Sequence, residues 1–401
     1  MIPFSPPYID DDIINEVVDS LKSGWITTGP KVRALENELS SFLDAPEVLC
    51  VNSWTSGAML LFQWLELGPE DEVIIPCYTY SATALAVIRA GAKPVIVDVN
   101  ENFNIDVDEI RKAITPRTKV IMPVDFAGLP CDYDSIKSVL EEPEIKNQFQ
   151  PNGQIQEKLG RIAVISDAAH SLGANFGDKR LGSCDLTVYS LHAVKNVTTA
   201  EGGAIAIHLP EPFDKDEVYK SLRLMTLNCQ TKDALSKSKG GSWKYDIVGL
   251  GLKINLPDLN AAVGLAQMKK YPDLLERRKE LFRLYKEGFN GFQKIQLPIS
   301  QIGTRMSSCH LYPVRVKNCT EEQRDEIIKR ITEKQVSVNV HFIPLPLLSY
   351  FKSLGYSIDN YPTAYNNYKG EISLPIYPQM TDNNIIQIVD AVKTSIQEVL
   401  G

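Results

Sequence analysis

The chain has 401 residues, 23% of them charged and 44% hydrophobic, with 24 Gly and 24 Pro. These proportions belong to a folded globular protein of two or three structural units and exclude a disordered or collagen-like chain. With 42 basic against 50 acidic side chains the net charge is −8, so a general cationic attraction for nucleic acid is absent and any anionic ligand must be met by local donors.

The opening stretch, MIPFSPPYIDDDIINEVV, lacks a basic region followed by an apolar core, so no secretion signal is expected. No window approaches the roughly 18 apolar residues of a membrane helix. Strands are expected at EVLCV (47–51), EVIIP (72–76), KPVIVDV (93–99), TKVIMPV (118–124), RIAVISD (161–167), LTVYSL (186–191) and GAIAIH (203–208). Several are almost continuous in Val, Ile and Leu, as strands covered on both faces require. Between them lie helical patterns such as TSGAMLLFQWLEL (55–67) and DVDEIRKAI (106–114). Strand–helix alternation predicts an α/β fold with a largely parallel sheet.

The polar segment 141–160 reads as a surface excursion, and residues 229–246, rich in Lys, Ser and Gly, as a mobile loop. A long helix is expected over 258–291, and the last hundred residues mix strands (HLYPVRV, SVNVHF) with helices (EEQRDEIIKRITEK, NNIIQIVDAVKTSIQEVL). Residues 1–250 are therefore expected to form a large domain and 251–401 a smaller α+β domain. Seven cysteines without a CxxC pair read as free thiols of a reducing cytosol, with neither a disulfide framework nor a metal site.

Four stretches carry possible chemistry. In YSLHAVKNVTTAEGGAIAI (189–207), Lys195 stands between two apolar strands. Two uses are open to it: a solvated loop lysine, or a desolvated amine able to attack a carbonyl. Asp167 ends RIAVISD, at the carboxyl end of a buried strand where α/β sheets bind ligands. It reads either as a helix cap or as the partner of a pyridine nitrogen, and His170 either as a satisfied half-buried side chain or as a second ligand contact. In VNSWTSGAML (51–60), hydroxyl residues at a helix start offer a phosphate site or a simple cap by Ser53 or Thr55. Tyr80, in PCYTYSATA, is placed either in the core or stacked on a flat ring. No GxGxxG follows the first strand, which argues against a dinucleotide-binding oxidoreductase.

Together, and in this order, these segments resemble the fold-type I enzymes that use pyridoxal 5′-phosphate (PLP), and among them the DegT/DnrJ/StrS group of nucleotide-sugar aminotransferases. The likeness runs over nearly the whole chain, through SGWITTGPKVRALENEL, VNSWTSGAML, DEVIIPCYTYSATA, GAKPVIVDVN, ISDAAHSLGA, YSLHAVKNVTTAEGGA, GLGLKINLPDLNAAVGLAQM, VNVHFIPLP and ISLPIYPQMT. It implies a seven-stranded, mostly parallel sheet flanked by helices, and a catalytic set of Lys195, Asp167 and His170. Lys195 would form a Schiff base with PLP and shuttle the proton; Asp167 would pair with the pyridine nitrogen and His170 with the phenolic oxygen. Tyr80 would stack on the ring, while Thr55, Ser56 and Ser190 would hold the phosphate. A homodimer with shared sites is implied, in which Lys253 and Asn255 of GLKINLPD complete the neighbouring site. Trp25, Thr27, His310 and His341 are implied as substrate contacts.

The implied reaction takes an amino group from L-glutamate, through pyridoxamine 5′-phosphate, to a nucleotide-linked keto-sugar for a surface polysaccharide. The Lys253/Asn255 pair, where many members carry Asn and Arg, resembles the C4-aminating UDP-sugar enzymes. A UDP-4-keto-6-deoxy-N-acetylhexosamine is the expected substrate; a C3-aminating dTDP-sugar enzyme or a non-catalytic regulator are the alternatives. A dehydratase needs the Schiff-base lysine replaced, and Lys195 is present. Three departures from the group are Trp54 at a position usually small, Ser166 before the paired Asp, and Pro346 where a second His is usual.

Overall fold

The computed structural model describes residues 1–233 and 243–401; residues 234–242 of the expected loop 229–246 lie outside the described residues. The first eight strands are β1 (Glu47–Val51), β2 (Glu72–Pro76), β3 (Lys93–Val97), β4 (Thr118–Ile121), β5 (Ala163–Asp167), β6 (Asn175–Phe176), β7 (Leu186–Ser190) and β8 (Gly203–Ile207). Seven of them form one sheet in the order β1-β8-β7-β5-β4-β2-β3. The run β7-β5-β4-β2-β3 is parallel, and β8 alone runs against both its neighbours. The ends of β1, β2, β5 and β7 therefore share one edge, and the sites proposed at Ser53, Tyr80, Asp167 and Lys195 all follow from that edge.

Strands β2, β4, β5 and β8 are buried at every residue, which explains their unbroken apolar sequences. β1 shows the two faces: Leu49 and Val51 join one core with helix Trp54–Trp64, while Val48 and Cys50 join another. That second core includes Val32, Leu35 and Leu39 of helix Pro30–Leu43 and Ala261, Met268 and Tyr271 of helix Asp258–Gly288. Asp258 is buried and accepts from the N–H groups of Gly29, Lys31 and Val32 at 2.7, 3.1 and 3.0 Å. One carboxylate thus caps the helix that Pro30 opens and ties the two helices together.

The remaining strands are β9 (Ile295–Gln296), β10 (Gln301–Ile302), β11 (Arg305–Met306), β12 (Tyr312–Val316) and β13 (Glu371–Leu374). β12 lies between β13 and β9 in an antiparallel sheet, and β10-β11-β6 form a third. The end of the long helix (Leu281, Phe282, Tyr285), β12, β13 and helices Glu321–Glu333 and Asp382–Leu400 share a separate core. The N-terminal segment reaches this part of the chain: Ile2 donates to Gln335 O at 2.8 Å and accepts from Ser337 N–H at 3.0 Å.

Two expectations are corrected. Segment 141–160 contains helices Pro143–Gln148 and Gln154–Leu159; Ile145 enters the core and buried Gln156 donates to Leu65 O at 2.8 Å. SVNVHF makes no strand; only Asn339 exchanges backbone hydrogen bonds with Ser373 of β13. All seven cysteines are free and buried. No described helix is long and apolar enough to cross a membrane.

Candidate active site

A cavity of about 500 Å3 opens at the shared strand edge, lined by Asp167, His170, Lys195, Tyr80, Thr55 and Ser190 together with His310, His341 and Phe342. Asp167 is the last residue of β5 and is 4% exposed. Its Oδ2 accepts from Thr83 Oγ1 at 2.8 Å and its Oδ1 from Ala169 N–H at 3.2 Å. Burial pushes the carboxyl up to about 7 against the pull of Thr83, Ala169 and Lys195. Burial drives the Lys195 ammonium the other way, to about 8, and Asp167 offsets part of this. A carboxyl and an amine, each poised near neutrality in one cavity, are suited to proton transfer.

Lys195 sits on the connection from β7 to β8, which turns back on the same edge because β8 is antiparallel. The connection is pinned throughout: Leu191 N–H donates to Gly202 O, Thr199 N–H to Leu191 O and Lys195 N–H to His192 O, each at 2.9 Å. Thr198 N–H donates to Gln267 Oε1 at 2.8 Å, and Asn196 Nδ2 to Ser308 O at 3.1 Å.

His170 Nδ1 accepts from Ala127 N–H at 3.2 Å, which assigns the ring proton to Nε2. Burial, with Lys195 and His341 nearby, holds this imidazole well below its usual range and therefore neutral. Its ring lies 4.4 Å from His310 and 5.8 Å from Phe342, stacked on the latter. His310 Nδ1 is 2.9 Å from Asn196 Oδ1, an acceptor, so it donates there and keeps Nε2 unprotonated.

Helix Trp54–Trp64 starts at the cavity. Ser53 is the cap: its Oγ accepts from Ser56 N–H at 3.1 Å and its hydroxyl donates to Ser56 Oγ at 2.8 Å. Ser53, Trp54 and Thr55 line the cavity and Ser56 does not. Gly203 lies against this turn so closely that a Cβ would stand 2.6 Å from Ser53 C and 2.7 Å from Trp54 N; only glycine lets β8 and the turn approach. Tyr80 is 63% exposed at the mouth, 6.0 Å from the Phe342 ring.

Four expected residues stand apart from this cavity. Lys253 Nζ donates to Asn255 Oδ1, and Asn255 Nδ2 to Thr28 Oγ1 at 2.5 Å. Trp25 Nε1 donates to Thr28 O at 3.3 Å, and Thr27 O receives Asp258 N–H at 3.1 Å. None of these four is among the residues lining it.

The family model for the DegT/DnrJ/EryC1/StrS aminotransferases matches residues 7–393. The chain belongs to this family. Among solved structures it is similar to the candidate sugar aminotransferase Spr1654 of Streptococcus pneumoniae in its pyridoxamine-phosphate form, with 43% identity, a TM-score of 0.96 and all of both chains covered. It also resembles PseC of Helicobacter pylori, an aminotransferase in pseudoaminic acid biosynthesis, at 25% identity, TM-score 0.85 and 99% of each chain. The spore coat polysaccharide biosynthesis protein SpsC of Bacillus subtilis is 35% identical over 98% of this chain and 96% of its own. The protein is thus a PLP-dependent sugar aminotransferase of fold-type I.

The residues present fit PLP. A buried carboxylate at a strand end faces a cavity that also holds a half-buried lysine, a neutral imidazole with N–H at Nε2 and a helix N-terminus beside two hydroxyls. Sequence reasoning missed Thr83, Phe4, Asn196 and Phe342. Thr83 was within reach of pattern reading, since it falls one helical turn after Tyr80; the others come from distant segments. Thr83→Val should leave Asp167 Oδ2 without its donor and raise its proton affinity further. A cofactor affinity lower by about tenfold is expected, read by absorbance titration with PLP; unchanged affinity would show the bond to be incidental.

Proposed function

We propose that this aminotransferase moves an amino group from L-glutamate to the C4 keto group of a UDP-linked 4-keto-6-deoxy-N-acetylhexosamine, for a surface polysaccharide. Lys195 and Asp167 meeting in one cavity carry the reading. PLP, when bound, supplies an electron-withdrawing ring that stabilises negative charge at the substrate carbon. Asp167 holds a proton at the pyridine nitrogen, and His170 donates from Nε2 to the phenolic oxygen. Tyr80 covers the ring face. The Thr55–Ser56 turn and Ser190 bind the phosphate, with free N–H groups at the start of helix Trp54–Trp64 as the main donors. Lys195 forms the covalent link and carries the proton.

Lys253 and Asn255 serve the site of a second copy of the chain, in a homodimer acting in the cytoplasm. Exposed apolar side chains just before them, Val248 at 56% and Leu250 at 84%, support a face covered by that copy. With cofactor and small domains divided at 250/251, the cavity draws His310, His341 and Phe342 from the small one, although the first half of helix Asp258–Gly288 packs in the core of the cofactor domain. His310 and His341, and Trp25 and Thr27 through the second copy, contact the sugar or the donor. SpsC, named for spore coat polysaccharide biosynthesis, and PseC, an aminotransferase of pseudoaminic acid biosynthesis, support the substrate class.

The test is to offer UDP- and dTDP-linked 3-keto and 4-keto sugars with glutamate, following 2-oxoglutarate and determining the product by NMR. Amination of the UDP-4-keto sugar is expected. Turnover of the 3-keto sugars alone would overturn the C4 assignment.

A further inference from the structure

We propose that Glu371, Ser373 and His341 form a proton relay in the cavity wall, which sets whether His341 donates or accepts at Nε2 and exchanges a proton with the keto oxygen of the substrate. The proposal rests on the aminotransfer reading above and adds a second acid–base system to Lys195.

Glu371 and Ser373 alternate along β13 and so share a face; both are fully buried. Glu371 Oε1 accepts from Ser373 Oγ at 2.5 Å, and its Oε2 from the His341 backbone N–H at 2.9 Å. Ser373 Oγ is 3.0 Å from His341 Nδ1. The histidine is held further by Tyr78, whose hydroxyl donates to His341 O at 2.8 Å, and by Phe4 stacked on its ring with centroids 5.5 Å apart. His341 lines the cavity beside Lys195, and Nε2 has no hydrogen-bond partner among the described residues.

The serine hydroxyl has one proton, so the chain of bonds runs in one of two directions. With Glu371 ionised, Ser373 donates to it, His341 Nδ1–H donates to Ser373, and Nε2 is a bare acceptor. With Glu371 protonated, the carboxyl donates to Ser373, Ser373 donates to Nδ1, and Nε2 carries hydrogen. Passing between them takes up one proton at Nε2 and leaves it on Glu371, with the imidazole neutral at both ends. This suits the surroundings, because burial and Lys195 hold His341 down to about 3, while burial holds Glu371 up to about 8. The charged and titratable groups around Glu371 are Arg324 of helix Glu321–Glu333, Arg315 at the paired position of β12, and Tyr78.

When an amine has added to a ketone, the C–O bond breaks, the C=N bond forms and the oxygen leaves as water. Nε2–H supplies the proton that water needs; the nitrogen keeps its own and becomes the protonated imine, and Glu371 becomes the carboxylate. In the reverse direction the relay takes a proton from the attacking water.

Nitrogen NMR of the histidine-labelled protein tests the relay directly. From about pH 6 to about pH 9 the His341 signals should exchange character, Nε2 losing hydrogen and Nδ1 gaining it. Ser373→Ala should abolish that exchange and Ser373→Thr restore it. Enzyme loaded with pyridoxamine phosphate and given 2-oxoglutarate should react about 100-fold more slowly in Ser373→Ala and Glu371→Gln. Borohydride trapping at Lys195 of the PLP form should persist in both. A fixed His341 tautomer across the pH range, or an unslowed Ser373→Ala enzyme, would overturn the relay. Should Ser373→Ala not fold, the wild-type NMR titration decides alone. Failure of trapping in the wild-type enzyme would instead remove the aminotransfer reading and leave the tautomer result standing.

Discussion

Lys195→Ala should lower turnover by about 10,000-fold, because it removes both the covalent link and the base that moves the proton. Purified wild-type protein with PLP should be yellow, and borohydride should fix the cofactor to Lys195; the variant should lose that adduct while still binding PLP. Folding should not suffer. Burial lowers the Lys195 ammonium from 10.5 to about 8, so the side chain is held at a cost that is full below about pH 8 and fades toward 10.5, and alanine relieves it. Activity within tenfold of wild type, or an adduct on another lysine, would contradict the assigned role.

Asp167→Asn separates stability from catalysis. The buried carboxyl titrates near 7 against 3.8 when unburied, so between these values the folded chain binds more protons than the unfolded one. Cofactor-free wild-type protein therefore loses stability as pH rises through that window and levels off above it. Each pH unit is worth about 1.4 kcal/mol, which bounds the loss at about 4 kcal/mol, with the attraction to Lys195 already included. Asparagine abolishes this slope while keeping the shape. Denaturant unfolding at pH 5 and pH 8 should show the variant gaining on wild type at the higher pH; parallel pH dependences would sink the argument. Turnover should nonetheless fall by about 100- to 1,000-fold, because the amide cannot hold a charged pyridine nitrogen.

The sheet was legible because burial on both faces writes itself into sequence. VIIP, VIS and AIAI have no polar alternation to confuse them, and every one of the seven strands begins or ends within two or three residues of its expected position. Segment 141–160 failed for the opposite reason. Its two helices are six residues each, too short to show a period, and each buries a single side chain. SVNVHF has strand composition, yet only Asn339 pairs with β13 and Ser337 bonds instead to Ile2 O, and composition does not report a neighbour. The same contrast holds in the site. Lys195 and Asp167 could be singled out because each ends or follows an apolar strand, where charge is conspicuous. Glu371 and Ser373 could not, since polar residues at the first and third places of EISL read as an ordinary exposed face. Only the fold shows that face turned inward, toward His341.

The antiparallel course of β8 has a further consequence. A crossover would carry the chain away through a helix, with the lysine on a loop anchored at one end; the return on the same edge makes a short clasp, fastened at Leu191, Thr199 and Gly202 and again at Gln267 and Ser308. The main chain at Lys195 is therefore a fixed pivot. In the role proposed for Lys195, the distance between the atom that gives it a proton and the atom that receives it is travelled by the flexible four-carbon arm. The stroke of that arm then sets which pairs of atoms the lysine can connect.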